Sequence, residues 1–219
     1  MKYGDMRGKR ALLIGKFMPL HKGHLAIMRF AEAFAGDLIV VVDKVKGEYP
    51  DNKIRAEWVR EEMPNATVVA LDEYTPQVPE EHPDFWNHWA GLLYRAGDGN
   101  ADILVAAADY GQRLAEAIGA EFIPFDTHRN GIGISATQIR SGLWDNWDYI
   151  APAARKYYLK RVQVLGPESS GKTSLCRELA REFQTAFVPE FAQDYLTAKG
   201  GQLPEGWPEL FIRGHANQS

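Results

Sequence analysis

The sequence predicts an α/β protein: a parallel sheet with helices on both faces, followed by a second, shorter strand–loop–helix unit. Three observations predict it. Short apolar runs alternate with segments of helical periodicity as far as Phe125. A loop rich in glycine and histidine, Gly15-Lys16-Phe17-Met18-Pro19-Leu20-His21-Lys22-Gly23-His24, follows the first apolar run and opens a helix. A second glycine-rich loop, Gly166-Pro167-Glu168-Ser169-Ser170-Gly171-Lys172-Thr173, does the same late in the chain.

The elements follow in order. Residues 11–14 are an apolar run ended by Gly15, a buried strand. Residues 22–34 carry Leu25, Ile27, Met28, Phe30 and Ala31 on a helical face that Gly36 ends. Residues 38–42 form a second strand, 54–62 a helix, and 67–71 a third strand. Residues 85–95 are helical, 103–106 a fourth strand, 112–118 a helix and 121–125 a fifth strand. Helices over 137–143 and 147–158 close the domain. Such alternation gives a parallel sheet with its first strand central and its ligands at the strand C-termini. A new strand over 162–165, the second glycine-rich loop, a helix over 173–183, a short strand at 187–188 and a helix over 191–198 follow. The expected domains are therefore residues 1–159 and 160–219.

Composition excludes several classes. The chain of 219 residues is 45% hydrophobic and 25% charged, ordinary for a globular protein. Its net charge of −4 supplies no basic field for a nucleic-acid backbone. Cys176 is the single cysteine, so no intrachain disulfide forms; a reducing cytoplasmic home fits, and Cys176 is expected to be a small buried packing residue. Residues 1–10 lack the apolar core of a signal peptide, and no apolar run is long enough to span a bilayer. No membrane or nucleic-acid partner is expected.

The first loop has the chemistry of a phosphate site. Gly15 permits a tight turn and Pro19 stiffens the loop. His21 and His24, three apart at a helix start, can point to one side, where backbone N–H groups also favour anions. An imidazole beside a triphosphate becomes more cationic, and two such groups suit the charge that builds during in-line displacement. The alternative is that the histidines pack or cap the helix. Downstream, Ile134-Ser135-Ala136-Thr137-Gln138-Ile139-Arg140 offers Ser135 or Thr137 as a helix cap and Arg140 as a fork for phosphate oxygens.

With those two motifs, His-x-Gly-His and Ile-Ser-x-Thr-x-x-Arg, the chain resembles the nucleotidyltransferases. Asp84-Phe85-Trp86-Asn87-His88-Trp89 and the junction to the second loop make it most similar to the bifunctional nicotinamide mononucleotide adenylyltransferase/ribosylnicotinamide kinases. The resemblance implies a Rossmann-like nucleotidyltransferase domain that makes NAD and pyrophosphate from ATP and nicotinamide mononucleotide with Mg²⁺. It implies that His21 and His24 hold ATP phosphates, His24 being the main transition-state contact. Lys16, Ser135, Thr137 and Arg140 would grip the phosphate chain, and Gly15 and Phe17 lie where the backbone meets the nucleotide. Asp109, after the fourth strand, is a candidate ATP contact or a plain helix start. Trp86 and Trp89 are candidates for stacking on nicotinamide, or for the core. Asp43 and Arg55 fit a ribose or phosphate contact, or a surface charge pair. His82, His88 and His128 show no metal-ligand spacing. Relatives assemble as homo-oligomers, so a homo-oligomer is expected. Some relatives also carry an N-terminal DNA-binding helix-turn-helix; the first strand starts by Ala11, so direct repression is not expected.

The second loop fits Gly-x-x-x-x-Gly-Lys-Ser/Thr throughout, between an apolar run and a helix, the setting of a P-loop. Its amides, with Gly166, Ser169, Ser170 and Gly171, would cradle phosphates; Lys172 would reach the β and γ oxygens and Thr173 the Mg²⁺. By resemblance, Glu190 and Asp194 fall near the kinase nucleoside and metal sites, with ribosylnicotinamide as substrate. No Walker B acid or arginine lid follows, so the P-loop NTPase-like domain is expected to be incomplete and to bind ATP phosphates without kinase turnover. Two rivals remain: the same chemistry on another phosphorylated acceptor such as phosphopantetheine, and a nucleotide sensor without turnover.

Overall fold

The structure is a computed structural model; it describes residues 7–99, 101–107, 110–126, 131, 133–190 and 198. The chain divides into two compact units, Met1–Tyr158 and Leu159–Ser219.

The first unit is an α/β layer structure, as its periodicity predicts. Five strands, β1 (Lys9–Gly15), β2 (Gly36–Val42), β3 (Thr67–Ala70), β4 (Ile103–Ala106) and β5 (Glu121–Pro124), form one sheet in the order β3-β2-β1-β4-β5. Every pairing is parallel. Helices α1 (Lys22–Ala35), α2 (Asn52–Glu62), α3 (Phe85–Ala96), α4 (Tyr110–Ile118), α5 (Ala136–Ser141) and α6 (Pro152–Tyr158) complete it. The chain runs outward from β1 to β3, then returns to β1's other side with β4. This reversal opens a crevice at the C-terminal ends of β1 and β4, where ligands of such sheets bind.

Alternation along each strand feeds two cores. Ala11, Leu13, Val40, Val42, Ile103 and Val105 face α1, α2, α5 and α6; Leu12, Ile39, Val41 and Leu104 face α3 and α4. Gly36 both ends α1 and opens β2: at φ 90° it takes the left-handed C-cap, and its N–H closes on the Glu32 carbonyl.

Three boundaries differ instructively from the sequence reading. The helix expected over 147–158 is broken into a 3₁₀ turn, Trp147–Tyr149, and α6. Pro152 has no N–H to continue a helix from before it, and so starts one. The freed segment is used elsewhere: Ala151 donates to the Leu20 carbonyl at 3.0 Å, and Ile150 bridges His21. Helix α2 begins at Asn52, earlier than expected, because Asp51 caps it by accepting from the Lys53 N–H at 2.9 Å. Helix α5 stops at Ser141, before the Gly142 cap.

The second unit contains α7 (Lys172–Glu182), preceded by the P-loop. The strand expected over 162–165 is not formed: Val162 and Leu165 are 82% and 79% exposed, in irregular backbone. The same holds for 187–188. A strand needs a neighbour for its ladder, and none pairs with either segment among the described residues. Helix α7 buries no residue, and Cys176 on it is half-buried rather than core. The helix expected over 191–198 lies outside the described residues except for Ala198.

Candidate active site

The first loop is built to bring two imidazoles together. Gly15 is required where β1 ends, since a Cβ there would meet the Phe17 ring at 2.8 Å. Phe17 follows at φ 51°, left-handed backbone that few L-residues adopt, and its ring is buried. His21 is the N-cap of α1, its Nδ1 accepting from the Gly23 N–H at 3.1 Å. One turn on, His24 stacks on His21 with centroids 3.7 Å apart, while Phe17 meets its ring edge-on at 5.0 Å. His21 therefore both caps α1 and stacks on His24. His24 Nδ1 is buried and has no hydrogen-bond partner. Burial first, and the charge on His21 second, hold His24 well below the usual imidazole pKa. The shift favours the neutral imidazole in the free protein.

The second motif comes to the first. Arg140 donates through Nη1 to the Met18 carbonyl at 2.5 Å and through Nη2 to Thr137 Oγ1 at 3.1 Å. Its helix is set by a capping box: Ser135 Oγ accepts from the Gln138 N–H, and Gln138 Oε1 accepts from the Ser135 N–H. Ser135, not Thr137, is the cap. Arg140 thus bonds to the main chain of the loop that carries the histidines, more than a hundred residues earlier in sequence.

A charged cluster lies beyond them at the ends of β1 and β2. Lys16 Nζ sits 3.2 Å from Glu48 Oε1, half exposed. Asp43 and Arg55 are buried, 4% and 1% exposed, so they are no surface pair. Arg55 donates through Nη1 to the Lys16 carbonyl and through Nη2 to the Asp43 carbonyl at 3.2 Å. Its Nη1 is also 3.9 Å from Asp43 Oδ1. Burial pushes the Asp43 carboxyl up to about 6 against the pull of Arg55, Lys16 and Gln77. Gln77 Nε2 donates to Asp43 Oδ2 at 3.4 Å and to Thr75 Oγ1 at 3.0 Å.

The two tryptophans separate. Trp89 is buried among Leu12, Ile39, Val41 and Leu92, and its indole N–H is spent on the Pro76 carbonyl at 3.0 Å. It is a core residue in this structure, because the α3 face that carries it is the one packed on the sheet. Trp86 is half-buried, edge-on to Phe85, with the Arg113 guanidinium 5.7 Å from its ring centre. Asp109, His128 and Asp194 lie outside the described residues. His82 and His88 stack on each other at 4.4 Å.

Sequence reasoning missed Glu48, Gln77 and Tyr158, and reached Tyr110 only as part of the Asp109-Tyr110-Gly111 turn after the fourth strand. Burial, and after it the charge of Asp43, raises the Tyr110 phenol; burial raises the Tyr158 phenol against the pull of Arg140 and Arg55. Tyr110 was reachable, since it stands just past the C-terminal end of β4; Glu48, Gln77 and Tyr158 carry no motif. Among the described residues, no three His, Cys, Asp or Glu side chains gather to hold a metal. No described helix is long and apolar enough to cross a membrane.

In the second unit the P-loop closes on itself. Ser169 at φ 59° and Gly171 at φ 84° bend it, and Ser170 Oγ and Lys172 Nζ each donate to the Pro167 carbonyl at 2.7 Å. A Cβ on Gly166 would meet Ser170 Oγ at 3.2 Å. Thr173 stands in the first turn of α7, and Glu190 is exposed in irregular backbone.

Three comparisons with known proteins bear on the chain. Residues 161–213 match the model of an AAA domain. The trifunctional NAD biosynthesis/regulator protein NadR of Escherichia coli (strain K12) is 25% identical over 201 residues, covering 84% of this chain and 49% of that protein. The chain thus spans about half the length of the curated relatives it matches. A crystal structure of NadR protein in complex with NAD and AMP-PNP is 26% identical with a TM-score of 0.69, covering 98% of this chain and 66% of that one. A second, in complex with NR, has the same identity and TM-score and covers 99% and 64%. The chain is similar in sequence and fold to NadR.

Proposed function

We propose that this chain transfers the adenylyl group of ATP to nicotinamide mononucleotide, giving NAD and pyrophosphate. The observation that carries the reading is the stacked His21–His24 pair with Arg140 docked on the same loop, in the crevice beside β1. Similarity to NadR, crystallised in one case with NAD and AMP-PNP, supports NAD metabolism as the setting.

A phosphate oxygen of the mononucleotide attacks the α-phosphorus of ATP in line. The new P–O bond forms as the bond to the bridging oxygen of pyrophosphate breaks. The transition state gathers negative charge on the phosphate oxygens, and the protein's task is to position and to stabilise it. His24, with an unspent nitrogen, donates to that charge, and the triphosphate raises its pKa toward the cation. Arg140 and Lys16 offset charge on the departing pyrophosphate. Mg²⁺ would enter on the phosphates of ATP, as part of the substrate. Trp86, half-buried at the start of α3, is the indole that stacks on nicotinamide. The P-loop unit holds ATP phosphates through Lys172, with Thr173 toward Mg²⁺; with the remainder of a kinase domain it would act on ribosylnicotinamide.

The test is direct. The purified chain is supplied with ATP, Mg²⁺ and nicotinamide mononucleotide, and NAD and pyrophosphate are measured. Equal yields of the two are expected. Product only with phosphopantetheine or another acceptor, or ATP binding with no product from any acceptor, overturns the reading.

A further inference from the structure

We propose that Arg55 is a positioning residue of the adenylyl-transfer site: from α2 it holds the Lys16 carbonyl against the end of β2 and so fixes the loop that carries His21 and His24. The inference rests on the function proposed above, and reassigns Arg55 from substrate contact to strut.

Arg55 is 1% exposed and stands among the largest fully buried side chains of the protein. A buried guanidinium must find acceptors, and here Nη1 and Nη2 donate to the main-chain carbonyls of Lys16 and Asp43, while Nε has no hydrogen-bond partner among the described residues. These carbonyls belong to neighbouring strand ends, where the Asp43 N–H also donates to the Gly15 carbonyl at 3.3 Å. One turn earlier on the same helix, Asn52 Nδ2 donates to the Leu71 carbonyl at 2.7 Å and faces the Val42 carbonyl at 3.4 Å. The first turn of α2 thus stitches the C-terminal ends of β1, β2 and β3 through side chains, beyond where the sheet ladder stops.

The consequence for chemistry runs through one peptide. Fixing the Lys16 carbonyl fixes the plane of the Lys16–Phe17 peptide. Phe17 takes its left-handed backbone from that plane, and its buried ring then meets His24 edge-on. Arg55 therefore acts on His24 through three steps of contact without touching a ligand. Without it, Phe17 is free to relax to ordinary backbone, and the stack that orients His24 loses its outer wall. Lys16 is redirected too, because its side chain leaves from the same residue.

Two variants test this in the whole chain, Arg55→Lys and Arg55→Met, each checked for folding by circular dichroism. Steady-state rates are measured with ATP, Mg²⁺ and nicotinamide mononucleotide. A lysine keeps one donor, so Arg55→Lys is expected to lose about tenfold in kcat with KM for the mononucleotide within about threefold, and Arg55→Met to lose about a hundredfold. A large rise in KM for the mononucleotide at unchanged kcat overturns the proposal in favour of a substrate contact. Wild-type kinetics in Arg55→Met overturn it as well. If Arg55→Met does not fold, Arg55→Lys decides; if neither folds, the guanidinium serves the fold and the proposal fails. Should the wild-type chain make no NAD, the function itself fails, and the strut is read separately from ATP affinity by calorimetry. A tenfold weakening in Arg55→Lys supports it, and no change overturns it.

Discussion

Replacing His24 with alanine separates fold from chemistry more cleanly than any other change in this protein. On the fold side the imidazole has two ring neighbours, His21 stacked at 3.7 Å and Phe17 edge-on at 5.0 Å. Each such contact is worth about 1 kcal/mol, so the variant should lose roughly 2 kcal/mol of stability. Its Nδ1 has no protein partner, so truncation leaves no other buried group orphaned. On the chemical side, loss of one donor aimed at developing charge costs about 3 kcal/mol, or two orders in kcat. The variant should therefore remain folded, with a melting temperature lower by several degrees, and make NAD at about a hundredth of the normal rate. NAD is followed through a coupled dehydrogenase and the melting temperature by scanning calorimetry. A kcat within about threefold of wild type refutes the mechanism.

The remaining predictions concern the groups around it. Trp89→Ala should cost about 3–5 kcal/mol of stability, since it empties the core between α3 and the sheet, whereas Trp86→Ala, packed only against the edge of that core, should cost less stability and mainly raise KM for the mononucleotide. Equal loss of stability in both would refute the division. Glu48→Gln releases Lys16 from its half-exposed ion pair and should lower KM for ATP severalfold, by up to about 1 kcal/mol; a higher KM would mean that Glu48 orients Lys16 for its task. Asp43 is an acid whose folded pKa, about 6, lies above its unfolded value of 3.8, so the folded state binds more protons between those limits. Stability from this group is present below the unfolded value and declines as pH rises to about 6. Relative to Asp43→Asn, the wild type should lose on the order of 3 kcal/mol between pH 4 and 7, measured by urea unfolding. A difference independent of pH would refute it.

What was legible in the sequence follows from range. β1 to β5 could be read because a parallel sheet buried on both faces demands continuous apolar runs, and residues 38–42 or 103–106 have no other use. The imidazole pair was legible because His21 and His24 are one helical turn apart, so local geometry alone brings them together. Arg140 was legible only as a motif; its bond to the Met18 carbonyl crosses the domain and no spacing announces it. The errors came where a residue's partner was distant. Trp86 and Trp89 look alike in sequence, and only the Pro76 carbonyl and the face of α3 tell them apart. The run at 162–165 has a strand's composition, yet a strand is a property of two segments, and its partner is not among the described residues.

The same reasoning explains why the charged cluster could not be sorted in advance. Asp43 and Arg55 are spaced as a surface pair would be, and composition gives both the same prior. Burial reverses their meaning. A guanidinium at the surface is a free cation for phosphate, but one sealed beneath two strand ends spends its donors on carbonyls and gains nothing by releasing them. Lys16 makes the contrast: it leaves the same turn, reaches solvent, and among the described residues is held by Glu48. Of the two cations beside β2, the exposed one is therefore free to meet a nucleotide and the buried one decides where the turn stands. Exchanging their roles by mutation should fail in both directions, since a lysine at 55 lacks the fork and an arginine at 16 leaves the turn unsupported.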